Sequence, residues 1–125
     1  MLNFSVIFKS GIPVYEQVIY AVKKAIVSGQ LKPNDPFPSV RELSKELRIN
    51  PNTAQKIITR LVQEKLLEIK PGIGSIVSER GQATEEQRRN ILNTEVERLV
   101  VETKRLSIKR KELIDAITRY WRKDK

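Results

Sequence analysis

The stretch FPSVRELSKELRINPNTAQKI, residues 37–57, holds two helix-start signals eleven residues apart, at Ser39 and Asn50. In SVRE the Ser39 hydroxyl is placed to accept from the backbone N–H of Glu42, and the Glu42 carboxylate reaches back to the N–H of Ser39. That reciprocal pair is a capping box. Val40, Leu43 and Leu47 then mark one face of a helix of about two turns. The second start is NPNT, with Asn50 as N-cap and Pro51 at the first helical position, where a missing N–H leaves no bond unmade. From there Ala54, Ile57, Ile58, Leu61 and Val62 recur at helical spacing as one apolar stripe. Asn52, Thr53, Lys56, Arg60 and Gln63 occupy the opposite face, with Gln55 at its flank.

Two helices joined by a few residues, the second opening on short hydrogen-bonding side chains, predict a helix-turn-helix. The second helix of that motif enters the major groove N-terminus first, so its opening turn must reach base edges. Asn pairs bidentately with adenine, and Thr offers a hydroxyl and a methyl group to thymine.

The flanks extend the pattern. Upstream, Val14, Val18, Ala21, Val22 and Ala25 predict a helix over residues 13–28, begun at Pro13 and closed by Gly29 in the left-handed region. LKPNDPFP is a proline-broken connector whose inward anchors are Leu31 and Phe37. Downstream, Leu67, Ile69, Ile76 and Val77 suggest two short strands turned at KPGIG, the wing of a winged helix. Lys70 and the bare backbone of Gly72 suit an approach to phosphate or the minor groove.

From Thr84 the pattern is helical again. Leu92, Val96, Leu99 and Leu106 follow alternating steps of four and three around a polar Thr103. After a break in RLSIKRKEL, a final helix carries Leu113, Ile117, Tyr120 and Trp121, with Ile114 beside them. Such stripes call for burial on each other and on another copy of the chain. The expected fold is therefore mainly α: a winged helix-turn-helix over 1–79 with a small β-hairpin wing, then a two-helix dimerisation tail over 80–125. The polar stretch SERGQATEEQ, residues 78–87, joins them.

Charge agrees with this reading. The 125 residues carry 24 Lys and Arg against 15 Asp and Glu, a formal +9 with a pI near 10.0. The excess divides evenly, +4 over 1–79 and +5 over 80–125, so it is no tail artefact. A polyanionic partner is implied, nucleic acid first and an anionic membrane second. With no Cys and no His, disulfides, thiol chemistry and the usual zinc sites are excluded. No metal or cofactor is expected, and no glycine-rich phosphate loop or paired acids suggest an enzyme. MLNFSVIFKSGIP lacks a basic leader and a long apolar run, which predicts a soluble cytoplasmic chain with no membrane partner.

The fragments PVYEQV, SGQLKPND, FPSVRELSKEL, INPNTAQK, LLE and GIGSIV together resemble the DNA-binding domain of the GntR family of bacterial transcription regulators. The resemblance covers residues 12–78, and the short tail is similar to the small YtrA-type subfamily. It implies a repressor that binds a palindromic double-stranded DNA operator as a homodimer. By position, it places Arg41 as a DNA-contacting arginine, Asn50, Asn52 and Thr53 at the recognition-helix cap and first turn, and Gly72 at the wing tip. Gln55 stands where many members carry arginine, which implies a different base preference. Asn34, Arg48 and Lys65 replace three glycines frequent in the family.

The DNA-binding set from both sources is Ser39, Arg41, Asn50, Asn52, Thr53, Gln55, Lys56, Arg60, Lys70 and Gly72. Some members have structural explanations too: Asn50 as a cap, Lys70 and Gly72 as ordinary turn residues, Ser39 as half of the capping box. Arg41 is different, because a cation in a helix's first turn opposes the macrodipole and needs an anion nearby to favour it. KRLSIKRK reads as a solvated connector before it reads as a second nucleic-acid patch. Tyr120 and Trp121 suit an interface or core better than a ligand pocket. So small a tail has little room for a pocket of about 300 Å3, so an effector would bind at a domain or subunit junction. The competing reading is a winged-helix protein-interaction module with non-specific nucleic-acid affinity.

Overall fold

The structure is a computed structural model that describes residues 2–79 and 84–123. It divides into two compact units, Met1–Gln82 and Ala83–Lys125. Residues 80–83 of the junction lie outside the described residues.

In the first unit, α1 (Val14–Ser28) starts from Pro13, whose carbonyl accepts from the Gln17 N–H at 3.2 Å. It ends at Gly29, φ 86°, with the Leu31 N–H bonded back to the Ala25 carbonyl at 3.0 Å. That left-handed close turns the chain so that Leu31 plunges into the core. α2 (Val40–Leu47) and α3 (Pro51–Gln63) are the two helices of the opening stretch. α3 is followed by β1 (Leu67–Lys70) and β2 (Gly74–Val77), an antiparallel pair in which Leu67 faces Val77.

The core gathers one stripe from each helix. Val18, Ile19, Val22 and Ala25 of α1 meet Leu43 of α2, then Ala54, Ile57, Ile58 and Leu61 of α3, with Leu67 and Val77 closing it from the hairpin. Every apolar position read on α3 is buried or half-buried, as a helix packed along one face requires.

Two features were not legible in the sequence. The connector runs beside β2 as an irregular third strand: the Asn34 N–H bonds the Val77 carbonyl, Val77 N–H the Asp35 carbonyl and Phe37 N–H the Ser75 carbonyl, all at 2.8–2.9 Å. Its prolines hide this, since Pro36 makes a bridge with Ile76 without donating an N–H. The N-terminal segment also joins the core. Phe4 is buried and stacks on Phe37 with centroids 5.5 Å apart, while the Asn3 amide donates to the Pro36 carbonyl. Gln17 then clamps the next turn, accepting from the Lys9 N–H and donating to the Lys9 and Ile12 carbonyls.

The second unit opens with a capping box in which Thr84 and Gln87 exchange hydrogen bonds. α4 (Glu85–Arg89) passes through a π-helical stretch, Asn90–Glu95, into α5 (Val96–Arg105) as one continuous helix. The chain turns at Ser107, φ 60°, and ends in α6 (Arg110–Lys123). With α4 to α5 taken as one, the described residues form five helices and a two-stranded hairpin.

Within a single chain the apolar stripes of the tail helices stay largely uncovered. Leu92, Val96, Leu99, Leu106 and Ile117 stay exposed, as do Tyr120 and Trp121, and Leu113 is half-buried. Thr103, the polar interruption of the stripe, is instead the buried residue, with its hydroxyl bonded to the Leu99 carbonyl at 2.7 Å. Satisfying that hydroxyl within its own helix lets a Thr sit where an apolar side chain was expected.

Candidate nucleic-acid interface

The site is built from two helix starts, the outer face of α3 and the hairpin tip. At the first start the Ser39 hydroxyl accepts from the Glu42 N–H at 3.1 Å, and the Glu42 carboxylate accepts from the Ser39 N–H at 2.9 Å. These bonds hold the Glu42 carboxyl below its ordinary range, the backbone N–H contributing most. The box occupies the Ser39 side chain, but it leaves Arg41 exposed on the first turn with no ion pair among the described residues.

The turn into α3 has its own lock. Arg48 adopts φ 55°, the Ser44 hydroxyl donates to the Ile49 carbonyl at 2.7 Å, and the Ile49 N–H returns to the Ser44 carbonyl. A left-handed residue at this place sets the angle between α2 and α3. Asn34 and Lys65 likewise adopt positive φ, 73° and 63°, a region that glycine enters most easily. The strain falls on the side chains that must tolerate it, least on Asn34.

At the second start the Asn50 carbonyl oxygen Oδ1 accepts from the Asn52 N–H at 2.7 Å. Asn50 is thus a working cap whose Nδ2 donors are not used by that bond. Asn52 is exposed beside it. Along α3, Thr53, Gln55, Lys56 and Arg60 line an open groove together with Thr59, Gln63 and, from α1, Tyr15. Gln55 donates to the Thr59 hydroxyl at 3.1 Å, and Thr53 is half-buried. Lys56 is exposed and has no ion pair among the described residues.

Arg60 is held. Its Nε lies 2.5 Å from a Glu64 carboxylate oxygen, and Tyr15 of α1 lines the same groove. These partners, Glu64 first, raise its pKa further. Glu64 in turn receives Lys23 of α1 at 3.0 Å. Partial burial pushes the Glu64 carboxyl up, but the bonds from Lys23 and Arg60 outweigh it and hold the group ionised below the usual range. Tyr15, Lys23 and Glu64 were missed by the reading from sequence. Tyr15 lies off the apolar stripe of α1, and a half-buried tyrosine with its hydroxyl outward looks like ordinary helix packing until α3 is placed beside it.

The hairpin tip carries Gly72 at φ 80° and Gly74 at φ 113°, closed by the Ile73 N–H to the Lys70 carbonyl. Lys70 has Glu68 as a loose partner at 3.6 Å. Ile69 and Ile73 point outward, 62% and 78% exposed, so the tip is more apolar than its charge suggests. The structure therefore brings Thr53, Gln55, Lys56 and Arg60 together, and places Ser39 and Arg41, Asn50 and Asn52, and Lys70 and Gly72 at three separate local positions. No group of carboxylates among the described residues is arranged to hold a metal ion, and none of their helices is long and apolar enough to cross a membrane.

A helix-turn-helix with a hairpin wing, an uncovered cation at each helix and a polar, basic α3 face defines a winged-helix DNA-binding regulator. The model for bacterial regulatory proteins of the gntR family matches residues 14–77, and the chain belongs to the GntR family. It is of the small YtrA type. It is 34% identical over 95 residues to the HTH-type transcriptional repressor YtrA of Bacillus subtilis (strain 168), covering 75% of this chain and 73% of that protein. Its fold is shared with a transcriptional antiterminator from Listeria monocytogenes EGD-e, with a TM-score of 0.83 at 22% identity over 94% of this chain and 88% of the other. The DNA-binding domain of AraR, solved in complex with operator ORX1, superposes with a TM-score of 0.52 at 28% identity over 59% of this chain and 95% of the other. The protein is a DNA-binding transcription regulator, as its family and relatives are, and not of an enzyme family.

Proposed function

We propose that this regulator is a repressor that binds a palindromic operator as a homodimer. Each protomer lays the helix beginning at Asn50 into a major groove. The observation that carries this is the first turn and a half of α3, where Asn52 and Lys56 stand exposed and uncommitted beside a capped, rigid helix start. A helix start that is fixed by its cap and polar outward is the arrangement that reads base edges. The operator complex of AraR, with the same fold, supports it.

The roles then sort by chemistry. Asn52, Thr53 and Gln55 face base edges, with Asn50 adding a donor. Arg41, Lys56 and Arg60 meet phosphates, Ser39 lies at the same backbone, and Lys70 and Gly72 approach from the wing. The exposed apolar residues of the tail, Leu92, Val96, Leu99, Leu106, Ile117, Tyr120 and Trp121, together with the half-buried Leu113, are covered by the partner copy. The two recognition helices would then lie about 34–36 Å apart, or a multiple of that repeat.

Fluorescence anisotropy on the DNA upstream of the gene, against scrambled DNA across a salt series, tests this. The native segment should win by about 10³ or more at physiological salt. Asn52→Ala should lose most of that margin. Equal binding of both duplexes by the wild type at every salt concentration would sink the operator at that locus, and no binding even at low salt would sink the DNA-reading face itself.

A further inference from the structure

Glu64 is an acid on a surface meant for a polyanion. It sits at the end of α3 with its side chain only 21% exposed, between Lys23 at 3.0 Å and Arg60 at 2.5 Å. A pair four residues apart on one helix adds little to stability. A negative charge here also weakens the attraction to every DNA duplex. Its bridge to Lys23 joins α1 to α3 but leaves the contact with Arg60 to be explained.

The fork of Arg60 supplies the missing reason. A guanidinium carries five N–H donors in one rigid plane. Glu64 takes the Nε–H and is itself held by Lys23 of α1, while Tyr15 of α1 lines the groove beside the guanidinium. The plane is thereby held from two helices, and the fork's remaining donors are left for a ligand in the open groove beside Lys56 and Gln63. A planar fork held in one orientation matches the oxygens of a phosphate.

We propose that Glu64 is a positioning residue for DNA recognition. It holds Arg60, with Tyr15, as a pre-oriented fork for one backbone phosphate, and it cancels charge that would otherwise grip any duplex. The inference rests on the reading that the α3 face meets DNA. A fixed fork accepts a phosphate at one place relative to Asn52 and Thr53, so it ties backbone geometry to the register in which bases are read. Freed from Glu64, Arg60 becomes a mobile cation that favours all duplexes alike.

The test uses the full chain and an operator duplex that the wild type selects from a random library, with a scrambled duplex as reference. Glu64→Gln, Arg60→Lys and Tyr15→Phe are compared by anisotropy over a salt series, with circular dichroism and thermal unfolding to follow folding. Glu64→Gln should bind scrambled DNA more tightly, with a salt slope steeper by about one. Its preference for the operator should shrink by about tenfold as the fork loses its orientation. Arg60→Lys keeps the charge and hence the slope, yet should lose a similar preference because an ammonium has no fork. Tyr15→Phe should move the preference the same way by less.

If Glu64→Gln and Arg60→Lys keep both preference and slope while the thermal midpoint alone falls, Glu64 serves helix pairing and the inference is overturned. Should Glu64→Gln fail to fold, a full preference retained by Arg60→Lys and Tyr15→Phe overturns it equally. A wild type that selects no sequence at all removes the DNA-reading face first, and the role of Glu64 with it.

Discussion

Ser39 and Glu42 satisfy each other twice: hydroxyl to backbone N–H at 3.1 Å in one direction, carboxylate to backbone N–H at 2.9 Å in the other. The pair fixes where α2 begins, and so where Arg41 stands. Ser39→Ala should lower unfolding stability by about 1 kcal/mol. The partner residue adds a pH signature. The folded pKa of Glu42 lies below its ordinary value of 4.5. Its stabilisation is therefore complete above that value and lost as the pH falls through the folded pKa. Unfolding midpoints of wild type and Glu42→Gln should differ near neutrality and converge as acidification carries Glu42 below its folded pKa.

Arg48 keeps φ 55° in the turn before α3. A left-handed non-glycine residue is strained by about 1–2 kcal/mol, part of which a glycine gives back as unfolded-chain entropy. Arg48→Gly should therefore raise stability by about 0.5 kcal/mol, read as a midpoint increase of about 2–4 °C. A lower midpoint would mean that the arginine side chain contributes a contact absent from the folded chain alone.

Lys56 and Asn52 should separate charge from reading. Lys56→Ala is expected to weaken binding to all duplexes alike and to reduce the salt slope by about one. Asn52→Ala should leave the slope unchanged and reduce discrimination at one base pair by about 1–3 kcal/mol. Titrations of matched and single-mismatch duplexes at several salt concentrations distinguish the two patterns.

The tail prediction uses the single tryptophan. Trp121 is 81% exposed in the isolated chain and Leu99 is 45% exposed. If a second copy covers them, dilution should shift the fluorescence emission to the red as Trp121 meets water. Leu99→Glu should halve the mass seen by sedimentation, since a buried unpaired carboxylate is strongly disfavoured. Unchanged mass and emission across both experiments would mean that no second copy covers this face.

Local chemistry made much of this molecule legible from its residues. Capping at Ser39 and Asn50, the glycine close at Gly29, the stripe from Ala54 to Val62 and the turn at Gly72 are each decided within a few residues of chain. The helix-turn-helix and the wing could therefore be placed without coordinates, and with them the positions of Arg41, Asn52 and Lys56. Contacts between distant segments carry no such periodic or capping signal. Phe4 under Phe37 and the connector paired with β2 depend on what lies across the core, and the burial of Thr103 in place of its apolar neighbours depends on packing within the tail. The Tyr15–Arg60–Glu64–Lys23 cluster also depends on what lies across the core. Arg60 reads in the sequence as a free cation on an exposed face, and only the packing of α1 against α3 supplies the tyrosine and the lysine that make it part of a held array.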